Sequence, residues 1–326
     1  MNLSNSDPNF SIVVPGACNA RCAFCFWKES NGTMTKQEYF KALTTTLAAL
    51  PAEFRQCSIT GGEPTASTYL RDILPHVHAR FGKVVLSSNG FDIRDEMFDF
   101  VNHLNISRHH WNDNLNCNQF GSQSVPNTAR LQSICTMANE HGVDVTLNCV
   151  VPATFSDVSF VNRYLDFAKS VGANAVCFRK EHGTLENLPV EALIRERVIR
   201  TGGCPACRTK VRLMQGMQVT WRYGVLEPIK VMPKGEIYEL VFQQDGRLTA
   251  DWDGIRVVTN RDLCAKAVVK QSPAKPDNQL SCTGKPYLAQ DKSCHTDYGR
   301  LVTPVTPLVS IPNSSGSGCG GGFGGC

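Results

Sequence analysis

Cys18, Cys22 and Cys25 stand in the run Cys18-Asn19-Ala20-Arg21-Cys22-Ala23-Phe24-Cys25, near the start of the 326-residue chain. Their spacing, C-x3-C-x2-C, brings three thiolates round one point on a tight loop. Thiolates are the usual ligands of iron–sulfur clusters, which normally take four of them. The next cysteine is Cys57, well outside the loop. The spacing therefore predicts a four-iron cluster with one iron open to a non-protein ligand. An open position marks a reactive metal site rather than a structural one. A zinc knuckle is the plainer alternative, but zinc sites usually pair C-x2-C with a distant second pair.

Strand-like and helix-like segments alternate around this loop. The apolar run Ser11-Ile12-Val13-Val14 precedes it and reads as a first strand. Residues 35–50 carry Tyr39, Phe40, Leu43, Leu47 and Leu50 at a helical period, with Thr33 or Thr35 as the cap. Residues 56–60 form the second strand, closed by Gly61-Gly62, and 65–81 a helix burying Tyr69, Ile73, Leu74 and Val77. Further strands are expected at 83–87, 106–110, 143–151 and 175–179, and helices at 94–104, 128–140 and 157–170. Such alternation forces crossover connections and a parallel sheet. In barrels of this kind, chemistry gathers at the C-terminal strand ends.

The second strand ends in Ser58-Ile59-Thr60-Gly61-Gly62-Glu63-Pro64-Thr65. A C-x3-C-x2-C loop with an aromatic before its last cysteine, followed by Gly-Gly-Glu at the end of the second strand, resembles the radical S-adenosylmethionine (SAM) superfamily. The resemblance covers roughly residues 10–180. It implies an α/β fold, a partial (β/α)6 TIM-like barrel open on one side. It also implies a [4Fe–4S] cluster on Cys18, Cys22 and Cys25, with the fourth iron chelated by the amine and carboxylate of SAM. A reductant such as flavodoxin or ferredoxin would supply the electron that cleaves SAM to methionine and a 5′-deoxyadenosyl radical.

The other candidate residues follow from the same resemblance. Phe24 matches an aromatic whose backbone contacts adenine, or is an apolar plug. Gly61 and Gly62 let the backbone approach a ligand, their carbonyls accepting from the methionine ammonium. Glu63 could add a charge-assisted bond to that group. Asn89, in Ser87-Ser88-Asn89-Gly90, ends a strand where relatives contact the cofactor, although Asn-Gly is equally a turn signal. Ser107 stands where relatives touch the methionine carboxylate, and Arg108 could pair with it. His109 and His110 suggest substrate contact or proton transfer. Strand alternation turns about half of such a run away from the site. Asn148 and Arg179 are further cofactor candidates. Arg179 would equally suit an acidic group of the substrate, or an ion pair with Glu181.

Composition agrees with a globular enzyme, with 42% hydrophobic and 19% charged residues. The net charge of +4 is spread along the chain and is too mild to argue for nucleic acid. Residues 1–8 lack the basic start and apolar core of a signal peptide, and no apolar stretch is long enough to span a membrane. A cytoplasmic protein is expected, its fifteen cysteines reduced and available as metal ligands. Three regions are expected: the barrel core at 10–182, an extension at 183–254, and a poorly patterned, flexible tail at 255–326 ending in Gly and Cys. In the extension, Cys204-Pro205-Ala206-Cys207 could bind a second cluster or zinc, form a redox dithiol, or do neither. Residues 236–252 flank Asp245-Gly246 with two apolar runs, a hairpin that would cover the open side of the barrel or the substrate.

Trp221-Arg222-Tyr223-Gly224 and residues 238–252 loosely resemble radical SAM proteins of bacteriophages, some of which modify nucleotides or DNA bases. The substrate class stays open between small molecules, nucleotides and peptides. A non-catalytic protein that binds the cluster and SAM, or passes electrons, is the alternative. Retention of Gly61-Gly62-Glu63 favours the enzyme, because an electron carrier needs no SAM pocket.

Overall fold

A computed structural model describes residues 2–3, 8–25, 27, 34–151, 158–181, 189–195, 200–202, 209–222, 236–237 and 239–264. Its strands are β1 (Asn2–Leu3), β2 (Asn9–Val14), β3 (Gln56–Gly61), β4 (Lys83–Ser88), β5 (His103–Ser107), β6 (Asp144–Val151) and β7 (Ala175–Lys180). They continue with β8 (Arg200–Gly202), β9 (Thr209–Met214), β10 (Met217–Arg222), β11 (Glu236–Ile237), β12 (Glu239–Phe242) and β13 (Leu248–Thr249). The α-helices are α1 (Lys36–Ala49), α2 (Leu70–Arg80), α3 (Asp113–Phe120), α4 (Thr128–Glu140), α5 (Val158–Ser170), α6 (Pro189–Arg195) and α7 (Asn260–Cys264).

One sheet runs β13-β12-β2-β3-β4-β5-β6-β7-β10-β9-β8, and all pairings from β12 through β10 are parallel. The six expected strands form as β2 to β7 of an α/β partial barrel, and two more extend the parallel part to eight. The two extra strands come from beyond residue 182. β10 pairs with β7 and β12 returns to pair with β2. The expected hairpin forms as β12–β13, but its first strand extends the sheet rather than covering the open side. A second hairpin, β9–β10, turns at Gln215 and Gly216, whose φ angles of 51° and 79° suit a tight hairpin turn. Cys204, Cys207 and residues 265–326 lie outside the described residues.

Alternate strand residues explain the layering. Ile12, Ile59, Leu86, Leu104, Leu147 and Phe178 point outward and join one core with Leu43, Ile73, Leu131 and Tyr164 of the helices. α1 begins at Thr35, whose hydroxyl accepts from the Glu38 amide while Glu38 accepts from the Thr35 amide.

Two expectations shift. The helix expected at 94–104 is a single 3₁₀ turn at Asp95–Met97. Asn102 instead clips onto β4, its amide donating to the Val84 carbonyl (2.9 Å) and its side chain accepting from the Val84 amide (2.7 Å). β5 therefore starts at His103, earlier than expected. It ends at Ser107, after which the Arg108 amide still donates to the Asn148 carbonyl (2.9 Å) and the Arg108 guanidinium bonds the carbonyls that follow. α3 was not expected at all. Its polar residues carry no hydrophobic period, and only its caps betray it: Asn112 at the start and Gly121, at φ 56°, at the end.

The inward face is polar. Asn9, Ser11, Gln56, His103, Asn105, Thr146, Asn148 and Thr220 are all buried there. At one edge, Glu239 of β12 accepts from Asn9 Nδ2 (2.7 Å), Ser11 Oγ (2.6 Å) and Trp252 Nε1 (2.9 Å), tying the last parallel strand to the first. Glu239→Ala strands these donors and should lower unfolding stability by about 2–4 kcal/mol. Urea denaturation reads this as an earlier midpoint, and an unchanged midpoint would contradict the latch.

Candidate active site

The cysteine loop follows β2 and has no ladder of its own. Three contacts with distant elements set its path. Asn89 Nδ2, just past β4, donates to Asn19 Oδ1 (2.7 Å). Ser122 Oγ donates to the Asn19 carbonyl (2.8 Å). The Arg21 amide donates to the Phe120 carbonyl (2.7 Å), so the loop rests on the C-terminal end of α3. Gly121 permits that approach, since a Cβ there would lie 2.9 Å from the Arg21 carbonyl.

Within the loop the Ala20 amide donates to Cys18 Sγ (3.4 Å). Cys18 and Cys22 are partly buried and Cys25 is exposed. Burial pushes the Cys22 thiol up to about 12, and the charges of Cys25 and Cys18 push the same way. Cys18 is raised by burial, then by the charges of Glu63 and Cys25, against the Ala20 hydrogen bond. The three sulfurs therefore share one field. No set of three His, Cys, Asp or Glu among the described residues is grouped to hold one metal ion. A four-iron cluster is bound differently, each thiolate taking its own iron round a cage.

Gly61 and Gly62 stand beside this loop. A Cβ on Gly61 would lie 2.9 Å from the Val14 carbonyl, and one on Gly62 would lie 2.8 Å from the Trp27 ring and 3.1 Å from the Cys18 Cβ. Backbone, indole and cysteine thus form a cradle that any side chain would fill. Asn19 Nδ2 and Trp27 Nε1 are buried N–H donors with no acceptor among the described residues. Sulfides of a cluster and the carboxylate of SAM are acceptors, so the residues present fit both groups. Trp27 and Asn19 were not among the sequence candidates. Trp27 sits two residues past the last cysteine, where aromatic character was its only signal.

Glu63 is 2% exposed. Its Oε1 accepts from the Thr65 amide (2.9 Å), Thr65 Oγ1 (2.7 Å) and Ser88 Oγ (2.6 Å), and its Oε2 accepts from the Asn89 amide (2.6 Å). Burial pushes its carboxyl up against these hydrogen bonds. With Oε1 full, only Oε2 has room for a further donor. Asn89 likewise spends its side chain on Asn19 and on the Phe91 amide (3.0 Å), which makes it a positioning residue rather than a free cofactor contact.

Arg108 does not reach into the mouth. It is 1% exposed, and its guanidinium donates to the carbonyls of His110 (2.7 Å), Pro126 (2.9 Å) and Trp111 (3.0 Å) and to Asp113 Oδ1 (2.6 Å). A guanidinium so committed has no fork left for a carboxylate. The proton-transfer reading of the histidines also meets a physical obstacle. His109 Nδ1 accepts from the Val150 amide (3.1 Å), and its ring packs on Phe24 (4.8 Å) and Phe120 (4.6 Å). Burial, then Arg108, pushes it down to about 3, so it stays neutral. His110 Nδ1 accepts from the Asn112 amide (2.9 Å), its ring lies against Trp111 and Phe160, and burial and Arg108 lower it as well. Phe24 thus meets a histidine wall.

Ser107, Asn148 and Arg179 occupy the inward face at neighbouring strand ends. Ser107 is in register with Asn148, and Arg179 Nε donates to Asn148 Oδ1 (3.3 Å).

An α/β partial barrel with three cysteines looped over its strand ends defines the class. Residues 12–164, a little under half of the chain, match the model of the Radical SAM superfamily. Streptococcus suis SuiB bound to S-adenosylmethionine superposes at TM-score 0.52 and 12% identity, over 83% of this chain and 63% of that one. SuiB bound to the precursor peptide SuiA gives 0.46 and 17%, over 55% and 40%. The radical S-adenosylmethionine methyltransferase TsrM from Kitasatospora setae, with tryptophan substrate and a SAM analog bound, gives 0.42 and 12%, over 74% and 55%. The chain spans 40–63% of the length of these structures, and at such identities the likeness is one of fold. No curated protein matches the chain. No helix among the described residues is long and apolar enough to cross a membrane.

His103, buried under β6, is also pushed down to about 3, first by burial and then by Lys83. An unfolded histidine titrates near 6.5. Between these values the unfolded chain binds more protons, so stability present above about pH 6.5 is lost as pH falls through about 3. Each residue should contribute about 3 kcal/mol of loss by pH 4. Melting temperature against pH reads this, and His109→Gln should flatten the acid limb. An acid limb as steep in the variant as in the wild type would remove His109 from the account.

Proposed function

We propose that the protein is a radical SAM enzyme that binds a [4Fe–4S] cluster through Cys18, Cys22 and Cys25, binds SAM beside it, and abstracts hydrogen from a substrate. The observation that carries this reading is the meeting of two motifs far apart in sequence: a Cβ on Gly62 would stand 3.1 Å from that of Cys18. When bound, cluster and cofactor supply the one-electron cleavage of SAM to methionine and a 5′-deoxyadenosyl radical, using an electron from a flavodoxin or ferredoxin.

The chain holds and shields that chemistry. Gly61 and Gly62 leave backbone carbonyls open to the methionine ammonium, and the buried Glu63 favours a cation there. Asn19 Nδ2 and Trp27 Nε1 offer donors to the acceptors of the bound groups. Phe24 and the neutral His109 make an apolar wall beside the loop, suited to excluding water. The substrate is a small molecule, nucleotide or peptide.

Anaerobically reconstituted and reduced protein should bind four iron and release 5′-deoxyadenosine from SAM. Replacing Cys18, Cys22 and Cys25 together by Ala should abolish both, and a triple variant that still cleaved SAM would sink the reading. Gly62→Val pushes on Trp27 and Cys18 alike. It should weaken SAM affinity tenfold or more and also diminish cluster absorbance, read by equilibrium binding and visible spectroscopy. Wild-type affinity in that variant would move the cofactor pocket elsewhere.

A further inference from the structure

α3 has no apolar stripe to account for it. Its residues are mostly polar, and a helix so short is marginal by itself in water. Contacts from outside hold it at both ends and at its middle. In the first turn, Asp113 Oδ1 accepts from Arg108 Nη2 (2.6 Å), the Thr128 amide (2.9 Å) and Thr128 Oγ1 (2.8 Å). Arg108 is itself fixed, because its guanidinium also donates to three carbonyls and the Tyr164 hydroxyl donates to the Arg108 carbonyl (2.6 Å). Midway, Asn116 is 1% exposed, and its Oδ1 accepts from the His109 amide (2.9 Å). Phe120 is buried against the His109 ring.

The last turn meets the cysteine loop. The Phe120 carbonyl accepts from the Arg21 amide (2.7 Å), and Ser122 Oγ donates to the Asn19 carbonyl (2.8 Å). Gly121 packs on the Arg21 backbone, closer than a side chain would allow. His109, bound to α3, meets the Phe24 ring edge-on (4.8 Å). These contacts alternate with the cysteines. Asn19 and Arg21 lie between Cys18 and Cys22, and Phe24 lies between Cys22 and Cys25. The chain on both sides of Cys22 is thereby held by one module, residues 108–128.

Each of these contacts is made by backbone, a hydroxyl or a ring, and none by a thiol. The sulfurs are left to their ligands while other groups set the path of the loop. Ordering a chain costs conformational entropy, and a loop ordered beforehand does not draw that cost from the binding of its ligand.

We infer that α3 is a brace that fixes the cysteine loop before a cluster is bound, with Arg108, Asp113 and Ser122 as its positioning residues. The inference rests on the cluster reading for the purpose of the loop, while the brace stands on its own contacts. Arg108 thus acts on the site from behind. Its charge-assisted bond anchors the first turn of α3, and the last turn of α3 sets the loop.

The test uses the full chain without iron, kept reduced and anaerobic. Alkylation of individual cysteines by iodoacetamide is followed by peptide mass spectrometry. A fixed loop should keep the partly buried Cys22 several-fold slower than the exposed Cys25. Ser122→Ala, which removes the bond to Asn19, should bring the Cys22 rate close to that of Cys25. Ser122→Thr keeps a hydroxyl and should restore the wild-type difference. Asp113→Ala, which releases the first turn from Arg108 and Thr128, should also raise the Cys22 rate several-fold. Cys57 and Cys149 are buried in the core and report global unfolding, so they should stay protected in every variant. Equal rates for Cys22 and Cys25 in the wild type overturn the proposal, as does an unchanged Cys22 rate in Ser122→Ala or Asp113→Ala. A Cys22 rate that rises only together with those of Cys57 and Cys149 also overturns it, because α3 would then support the fold and not the loop. These rates are read without iron, so a chain that fails to take up a cluster refutes the cluster reading and leaves the brace to be judged by its own result.

Discussion

The buried carboxylate of Glu63 holds the mouth of the sheet together. It joins the end of β3 to the end of β4 by accepting from Thr65, Ser88 and the Asn89 amide. Asn89 then reaches to Asn19, which neighbours Cys18. A loop without a ladder has no shape except what such bonds impose, and this one carries Cys18, Cys22 and Cys25. An ionised group at 2% exposure is tolerable only because donors surround it. The same donors fix the strand ends, and the strand ends fix the loop. Electrostatics links Glu63 to Cys18 directly as well, since a charge on Glu63 pushes the Cys18 thiol up.

Around that point the sheet divides its labour by residue parity. Outward positions pack against helices in a continuous apolar core, which makes the framework rigid. Inward positions mix amides, hydroxyls, carboxylates, a neutral histidine and an arginine with a few small apolar residues such as Val13, Val85 and Ala175. Such a lining is unfavourable as a core and suited to a ligand chamber, because a polar wall is stable when it is paired or wet. The internal pairs, His103 with Thr146 (3.0 Å) and Arg179 with Asn148, satisfy part of it. Thr220 Oγ1 and Gln56 Nε2 are buried there with no hydrogen-bond partner among the described residues.

Arg108 and His109 illustrate how adjacency in sequence misleads. They follow β5 directly, at the expected catalytic height, yet one clamps three carbonyls and the other wedges under the cysteine loop. A polar run at a strand end contains both chamber-facing and framework residues. Composition cannot separate them, because a guanidinium serves carbonyls and carboxylates equally well. Asn19 and Trp27 are the converse case, ordinary in sequence until the fold bonds Asn19 to Asn89 and lays Trp27 against Gly62.

Local pattern determined the cysteine loop, the Gly-Gly-Glu turn, the capped α1 and the alternating strands, since spacing, caps and periodicity act over a few residues. α4 falls at the expected residues because its period and its Asn127 cap are both local. Tertiary structure alone decided the rest. It set the two added parallel strands, because a parallel pairing such as β12 on β2 joins segments some 230 residues apart with no local signature. It set which arginine is framework and which faces the chamber, because that depends on the carbonyls and amides other strands bring near. Arg108 and Arg179 are the same chemical group, and their partners, drawn from distant parts of the chain, give them different work.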